Sequence, residues 1–156
     1  MTKRDDLIRT QLLQLLNGGE SHINVYSVVK AVPEELWNLP IVGLPNTLVG
    51  ILEHIRLAQA DILDYLTNEN YTEKSFPDDY WPSDQTKCNW KTSFKHYQKD
   101  LKILKAMIKT NDLFAQIPHG EKGHTLFREI LILSDHTAYH LGQMVVILRL
   151  KGAWEA

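Results

Sequence analysis

Apolar residues recur three or four positions apart through most of the chain, and no strand-length alternation stands out. Residues 4–16 carry the stripe Leu7, Ile8, Leu12, Leu15 and Leu16, which Gly18-Gly19 then interrupts. Helical spacing resumes with His22, Val25, Tyr26, Val29 and Val32 and ends before Pro33, so the pattern predicts either two helices meeting at the glycines or one long helix loosened there. Residues 33–46, with Pro33, Pro40, Gly43 and Pro45, read as a connector holding one helical turn at Glu34–Trp37. Asn46 or Thr47 suits the N-cap of the next helix, because either side chain accepts from free amides of the first turn. That helix runs to about Asn68 with the core line Leu48, Leu52, Ile55, Gln59, Ile62 and Leu66.

Residues 69–85 form a loop rich in aromatics and prolines, among them Tyr71, Phe76, Tyr80 and Trp81. A third long helix is expected over roughly 86–110, with the line Trp90, Phe94, Tyr97, Leu101, Leu104 and Ile108. A second connector covers 111–123, and the last helix spans about 124–151, stopping at Gly152. Apolar residues lie on every face of that last helix, which predicts a place inside a bundle or at a subunit interface. No internal repeat or second-domain boundary is visible, so the expected architecture is one all-α domain over residues 1–156.

Composition adds limits. The chain has 156 residues, 44% hydrophobic and 23% charged, enough for a substantial core without disulfides. A net charge of −2 argues against a nucleic-acid or anionic-membrane partner. Seven lysines between Lys87 and Lys109 read as the solvated face of a helix. The one cysteine, Cys88, excludes an internal disulfide and a multi-cysteine metal site, and is expected to be partly packed near a helix start. No stretch resembles a signal peptide, and no apolar run approaches the roughly 20 residues of a membrane span, so the expected compartment is the cytoplasm.

Candidate chemistry centres on the last helix, where His136 and His140 stand four positions apart and so project from one face. Two imidazoles so placed can grip one ion. The protease motif that shares this spacing needs a Glu where Thr137 stands. Burying imidazole without partners costs on the order of 1–3 kcal/mol per unmet group, and ligation is one way to satisfy both rings. A divalent ion wants a third protein ligand. His54, beside the core line of the 48–66 helix, is the best placed; His22 is the next candidate, and His96, His119 and His124 are weaker. On pattern alone the pair reads equally as ligands or as hydrogen-bonded core histidines. Ser134-Asp135-His136 is no catalytic triad, since consecutive helical residues diverge, and phosphate loops and nucleophile elbows are absent.

Two stretches tip the balance: Leu52-Glu53-His54-Ile55-Arg56, and Asp135-His136-Thr137-Ala138-Tyr139-His140-Leu141-Gly142-Gln143. They resemble the second-helix histidine motif and the last-helix His-x-x-x-His motif of the DinB superfamily, the DinB/YfiT-like metalloenzymes. Gly18-Gly19-Glu20-Ser21-His22, Pro77-Asp78-Asp79-Tyr80-Trp81-Pro82 and Leu150-Lys151-Gly152-Ala153-Trp154 also read like one branch of that family, so the likeness covers nearly the whole chain. The resemblance implies a four-helix up-down bundle in which His54, His136 and His140 hold a divalent ion, often nickel or zinc, with water in the open positions. It commonly implies a homodimer. Members with known activity transfer thiols such as bacillithiol, mycothiol or glutathione onto electrophiles, or isomerise with a thiol cofactor.

Three neutral imidazoles leave the ion's charge uncompensated, which favours an anionic further ligand: a coordinating thiol is deprotonated, and the pKa of bound water falls to about 7. One geometry thus allows two reactions, activation of a thiol for S-transfer or of water for hydrolysis. The resemblance implies a divalent-metal-binding protein of the first kind, a metal-dependent thiol S-transferase acting on a small molecule. The alternatives are a metal-dependent hydrolase and a non-catalytic metal-binding dimeric module. Gln143, one turn past His140, and Asp61, two turns past His54, are candidates to support the ligands or to make ordinary inter-helix bonds. Glu53 and Asp135 adjoin ligands in sequence but point about 100° away on a helix. The aromatic loop 71–82 is expected to act as a clasp over the bundle more than as a lid.

Overall fold

A computed structural model describes residues 2–154. Among them the fold is all-helical: α1 (Lys3–Asn17), α2 (Val25–Ala31), α3 (Leu48–Thr67), α4 (Trp90–Thr110) and α5 (Leu126–Leu150), with short 3-10 turns at Glu34–Leu36 and Gln85–Lys87. The glycines separate two helices. Gly18 and Gly19 take φ of 67° and 94°, and α2 restarts only at Val25, where the Asn24 side chain accepts from the Ser27 amide. His22 therefore lies in the non-helical link, not on a helical continuation. Of the two candidate caps for α3, Thr47 serves: its Oγ1 accepts from the Gly50 amide at 3.1 Å. α4 begins at Trp90, four residues later than expected, because the 3-10 turn at Gln85–Lys87 and the Asn89 cap precede it.

The long helices touch in a ring, α3 on α4 and α5, and α1 on α4 and α5. Within this bundle the up-down expectation is refined at one pair, since α3 and α4 run in the same direction. Ser93 Oγ donates to Glu53 at 2.6 Å, and Gln59 Nε2 donates to the Tyr97 carbonyl at 2.7 Å, so both helices advance together. The long segment between them carries the chain back along the bundle. α5 runs opposite to α3: Ile51 and Ile147 line one cavity, and Ile62 and Ile132 line another.

The core falls into two clusters. One joins α2, the first half of α3, the start of α4 and Leu141–Leu148 of α5. The other joins Leu12 and Leu16, the end of α4 and Leu126–Leu133. Between them α3 and α5 place Gln59, Asp61, Ser134 and His140, all buried. The last helix is thus apolar toward both clusters and polar at its middle. Its outer face stays accessible, with Ile132, Tyr139, Val146 and Leu150 exposed. The lysines of α4 do form a solvated face, Lys105 alone being half-buried, and Cys88 is half-buried just before that helix.

Candidate metal centre

His54 comes from the middle of α3, and His136 and His140 from successive turns of α5. Antiparallel packing of the two helices brings the three imidazoles together. His54 Nε2 lies 3.0 Å from His140 Nε2 and 3.0 Å from His136 Nε2. Ligand nitrogens about 2.0–2.1 Å from one tetrahedral ion would sit about 3.3 Å apart, close to this spacing. Among the described residues, these three are the group of histidine, cysteine and acidic side chains whose donor atoms converge closely enough to hold a metal.

The outer nitrogens fix the protonation of the inner ones. His54 Nδ1 faces the Tyr80 carbonyl at 2.6 Å, and a carbonyl only accepts, so Nδ1 carries the hydrogen and Nε2 a lone pair. His140 Nδ1 faces the Gln143 Oε1 at 2.8 Å, which places its hydrogen on Nδ1 as well. Two nitrogen lone pairs therefore oppose each other at 3.0 Å. That contact is repulsive unless a cation lies between them, and the donor set of three neutral imidazoles suits a divalent metal ion. Burial lowers the proton affinity of all three rings. His136 is pushed down to about 4, by desolvation first and then by the neighbouring His140 and His54. In His54 desolvation outweighs the opposing bond to Tyr80, and in His140 it outweighs the bond to Gln143. A metal therefore meets little competition from protons at neutral pH.

Gln143 thus orients one of the three rings directly. Asp61 does so only through the loop: its buried carboxylate accepts the Tyr80 hydroxyl at 2.6 Å and the Tyr71 hydroxyl at 3.3 Å, with Lys74 Nζ at 3.4 Å. Tyr80 is consequently pinned at both ends, by its side chain to Asp61 and by its carbonyl to His54. Desolvation and the Asp61 charge raise the proton affinity of both phenols, Tyr71 to about 12. Glu53 turns to Arg56 and Ser93, away from the site, and Asp135 is exposed.

Trp81 completes the wall. Its ring stacks on His54 with centroids 3.8 Å apart and planes 3° from parallel. The aromatic loop is therefore fastened over the histidines and shapes their cavity of about 530 Å³, which Ala58, Ile62, Ile132 and Tyr139 also line. Sequence reasoning placed the loop near the bundle but assigned neither Tyr80 nor Trp81. The crowding of aromatics in 71–82 was the available signal, and it does not say which ring meets which helix. Of the remaining histidines, His22 bonds the neighbouring Ile23 carbonyl, His96 is exposed on α4, and His119 and His124 line a different chamber.

The groove between α3 and α5 continues past the histidines at both ends. Toward the C-terminus of α5 lies an apolar cavity of about 440 Å³ walled by Leu44, Ile51, Trp81, Val146 and Ile147. Toward its N-terminus lies a polar chamber of about 520 Å³. No described helix is long and apolar enough to cross a membrane.

Comparison with known proteins agrees with the sequence motifs. A family model described as the DinB superfamily matches residues 22–144, a span holding all three clustered histidines. No curated protein and no solved structure matches the chain.

Proposed function

The chain belongs to the DinB superfamily, and on that premise we propose that His54, His136 and His140 bind one divalent ion, nickel or zinc, and that the protein is a metal-dependent thiol S-transferase using a low-molecular-weight thiol. The observation that carries the metal reading is the pair of opposed lone pairs on His54 and His140, 3.0 Å apart. The ion would supply Lewis acidity, holding a thiol in its reactive anionic form near neutral pH.

The surrounding residues favour a thiol over water as the activated group. Hydrolysis gains from a positioned general base. The carboxylate that lines the histidine cavity, Asp61, is already engaged by two tyrosine hydroxyls and Lys74. Thiol transfer needs no such base once the sulfur is deprotonated. It needs instead an apolar wall for an electrophile, which Leu44, Ile51, Val146 and Ile147 offer beside Trp81. Gln143 and the Tyr80 carbonyl keep two rings in the tautomer that presents Nε2 inward, and the stacked Trp81 restricts water over His54.

A second reading, a non-catalytic metal-binding homodimer, draws on the outer face of α5, where Tyr139 is 65% and Leu150 75% exposed. Elemental analysis of the untagged protein beside His136→Ala tests the metal: about one nickel or zinc per chain, lost in the variant, is expected. The loaded protein is then offered glutathione, bacillithiol and mycothiol with 1-chloro-2,4-dinitrobenzene. Thioether formation that disappears in His136→Ala supports transfer. Metal binding without turnover, in a protein that sediments as a dimer, favours the second reading. No metal in the protein, and none taken up from excess zinc or nickel, removes both.

A further inference from the structure

Two glycines stand inside helices among the described residues, Gly50 in α3 and Gly142 in α5. Glycine is the poorest helix-interior residue after proline, because it loses the most backbone freedom on folding. Each therefore asks for a reason. Gly50 has one: a Cβ there would run into the side chain of Gln85, whose Oε1 accepts from the Thr47 cap of the same helix. Gly142 has neither of the usual reasons. It is not among the glycines with positive φ, and a Cβ built on it would meet nothing within 4 Å.

What Gly142 borders is the apolar cavity of about 440 Å³ toward the C-terminus of α5. That volume falls within the roughly 300–1,000 Å³ of small-molecule sites. The cavity shares Trp81 and Gln143 with the histidine cavity. Both residues touch the histidines, Trp81 stacking on His54 with centroids 3.8 Å apart and Gln143 accepting from His140 at 2.8 Å. An apolar group held there lies beside the three rings. Gly142 is two residues beyond His140, about 3 Å along the axis. A side chain at 142 would take its room from this cavity, while its first carbon disturbs no neighbour. The walls come from four segments: the connector at Leu44, Ile51 of α3, Trp81 of the aromatic loop, and α5. They form a hollow that suits a compact group better than the flat helix face of a second copy. Its polar side chains are already engaged through their oxygens, Asn46 with Gln85 and Gln143 with His140.

We propose that Gly142 is the specificity-determining residue of the site: its missing side chain leaves room for a broad apolar group on the molecule that reacts at the three histidines. The assignment deepens the thiol-transfer reading and rests on it only for what happens to that molecule. The substrate class is an electrophile carrying a fused-ring or similarly broad apolar group, with few polar atoms on the side away from the histidines.

Calorimetric titration of the full chain with 2-naphthol, uncharged at neutral pH, tests the cavity without requiring turnover, and phenol is the smaller control. Saturable binding of 2-naphthol is expected. Gly142→Leu is expected to weaken it about tenfold or more by filling the space, and to weaken phenol by less. Val146→Phe fills the same cavity from the next turn, at a position 55% exposed, and provides a second variant independent of the first. Gly142→Ala is expected to raise the urea midpoint, since no neighbour opposes its Cβ. No saturable binding, affinity unchanged in both filling variants, or a lowered midpoint for Gly142→Ala would each overturn the proposal. So would a parent dimer that Gly142→Leu splits in sedimentation while 2-naphthol binding persists, since a second copy then covers the glycine. Failure of 2-naphthol binding in a protein that holds its metal and forms thioethers sinks the cavity and leaves thiol transfer standing. Binding that both filling variants weaken, in a protein that forms no thioether, does the reverse.

Discussion

Gln143 holds His140 from one turn further along α5, and among the described residues no other group bonds that ring's outer nitrogen. Replacing it with leucine keeps the volume and removes the acceptor, so the ring loses both its tautomer preference and its orientation. Partners of this kind are worth 10–100-fold in metal affinity. Gln143→Leu is expected to weaken zinc binding by about that factor in a competitive chelator titration, while the urea midpoint stays close to that of the parent. Tyr80 acts differently, since its hydroxyl satisfies a buried carboxylate. Tyr80→Phe leaves that Asp61 oxygen short of a donor and is expected to destabilise the fold by about 1–3 kcal/mol in urea denaturation. An unchanged midpoint would mean that water or Tyr71 takes over.

At the scale of elements, the break between α1 and α2 is set by backbone conformation. Gly18 has φ 67° and ψ −179°, a region in which side chains other than hydrogen are strained. A Cβ there would also lie 3.2 Å from the Asn24 Cβ. Gly18→Ala is expected to cost about 1–3 kcal/mol, read from the shift in a denaturation curve, although alanine favours helix everywhere else in α1. The break has a structural use. It lets α1 end with Leu16 in one core cluster while α2 packs Val25, Val28 and Val29 into the other. Helical spacing on both sides of the glycines was legible in the sequence, but the placement of His22 was not, because an apolar period does not show where a chain leaves the helix.

For the whole molecule, the histidine cluster links folding to pH. His136 has its pKa lowered from 6.5 to about 4, and His54 and His140 are shifted the same way. Between those values the unfolded chain binds protons that the folded chain refuses, so stability rises with pH across that window. The metal-free protein is expected to lose stability steadily as pH falls from about 6.5 toward 4 and to change little just above it. His136→Ala should flatten the slope. A metal held by the three histidines would bind only the folded form, so zinc at 100 times its dissociation constant is expected to add about 2.7 kcal/mol at neutral pH. A melting temperature indifferent to zinc would contradict the centre at this scale.

The sequence by itself determined the helices, their core lines and the shared face of His136 and His140, because helical periodicity is a local property and four residues always make about one turn. It also singled out His54, by its place beside a core line and by its motif. Only the tertiary structure brought His54 Nε2 within 3.0 Å of the other two rings, since that requires α3 and α5 to pack antiparallel in one particular register. The same packing made α3 and α4 run in one direction and swung the loop between them across the site. There Tyr80 and Trp81 take up roles against His54 from more than twenty residues away. The apolar cavity beside Gly142 arose likewise, from α3, α5 and two loops that share no sequence period. Local spacing decides which side chains share a helical face, and only long-range packing decides what that face meets.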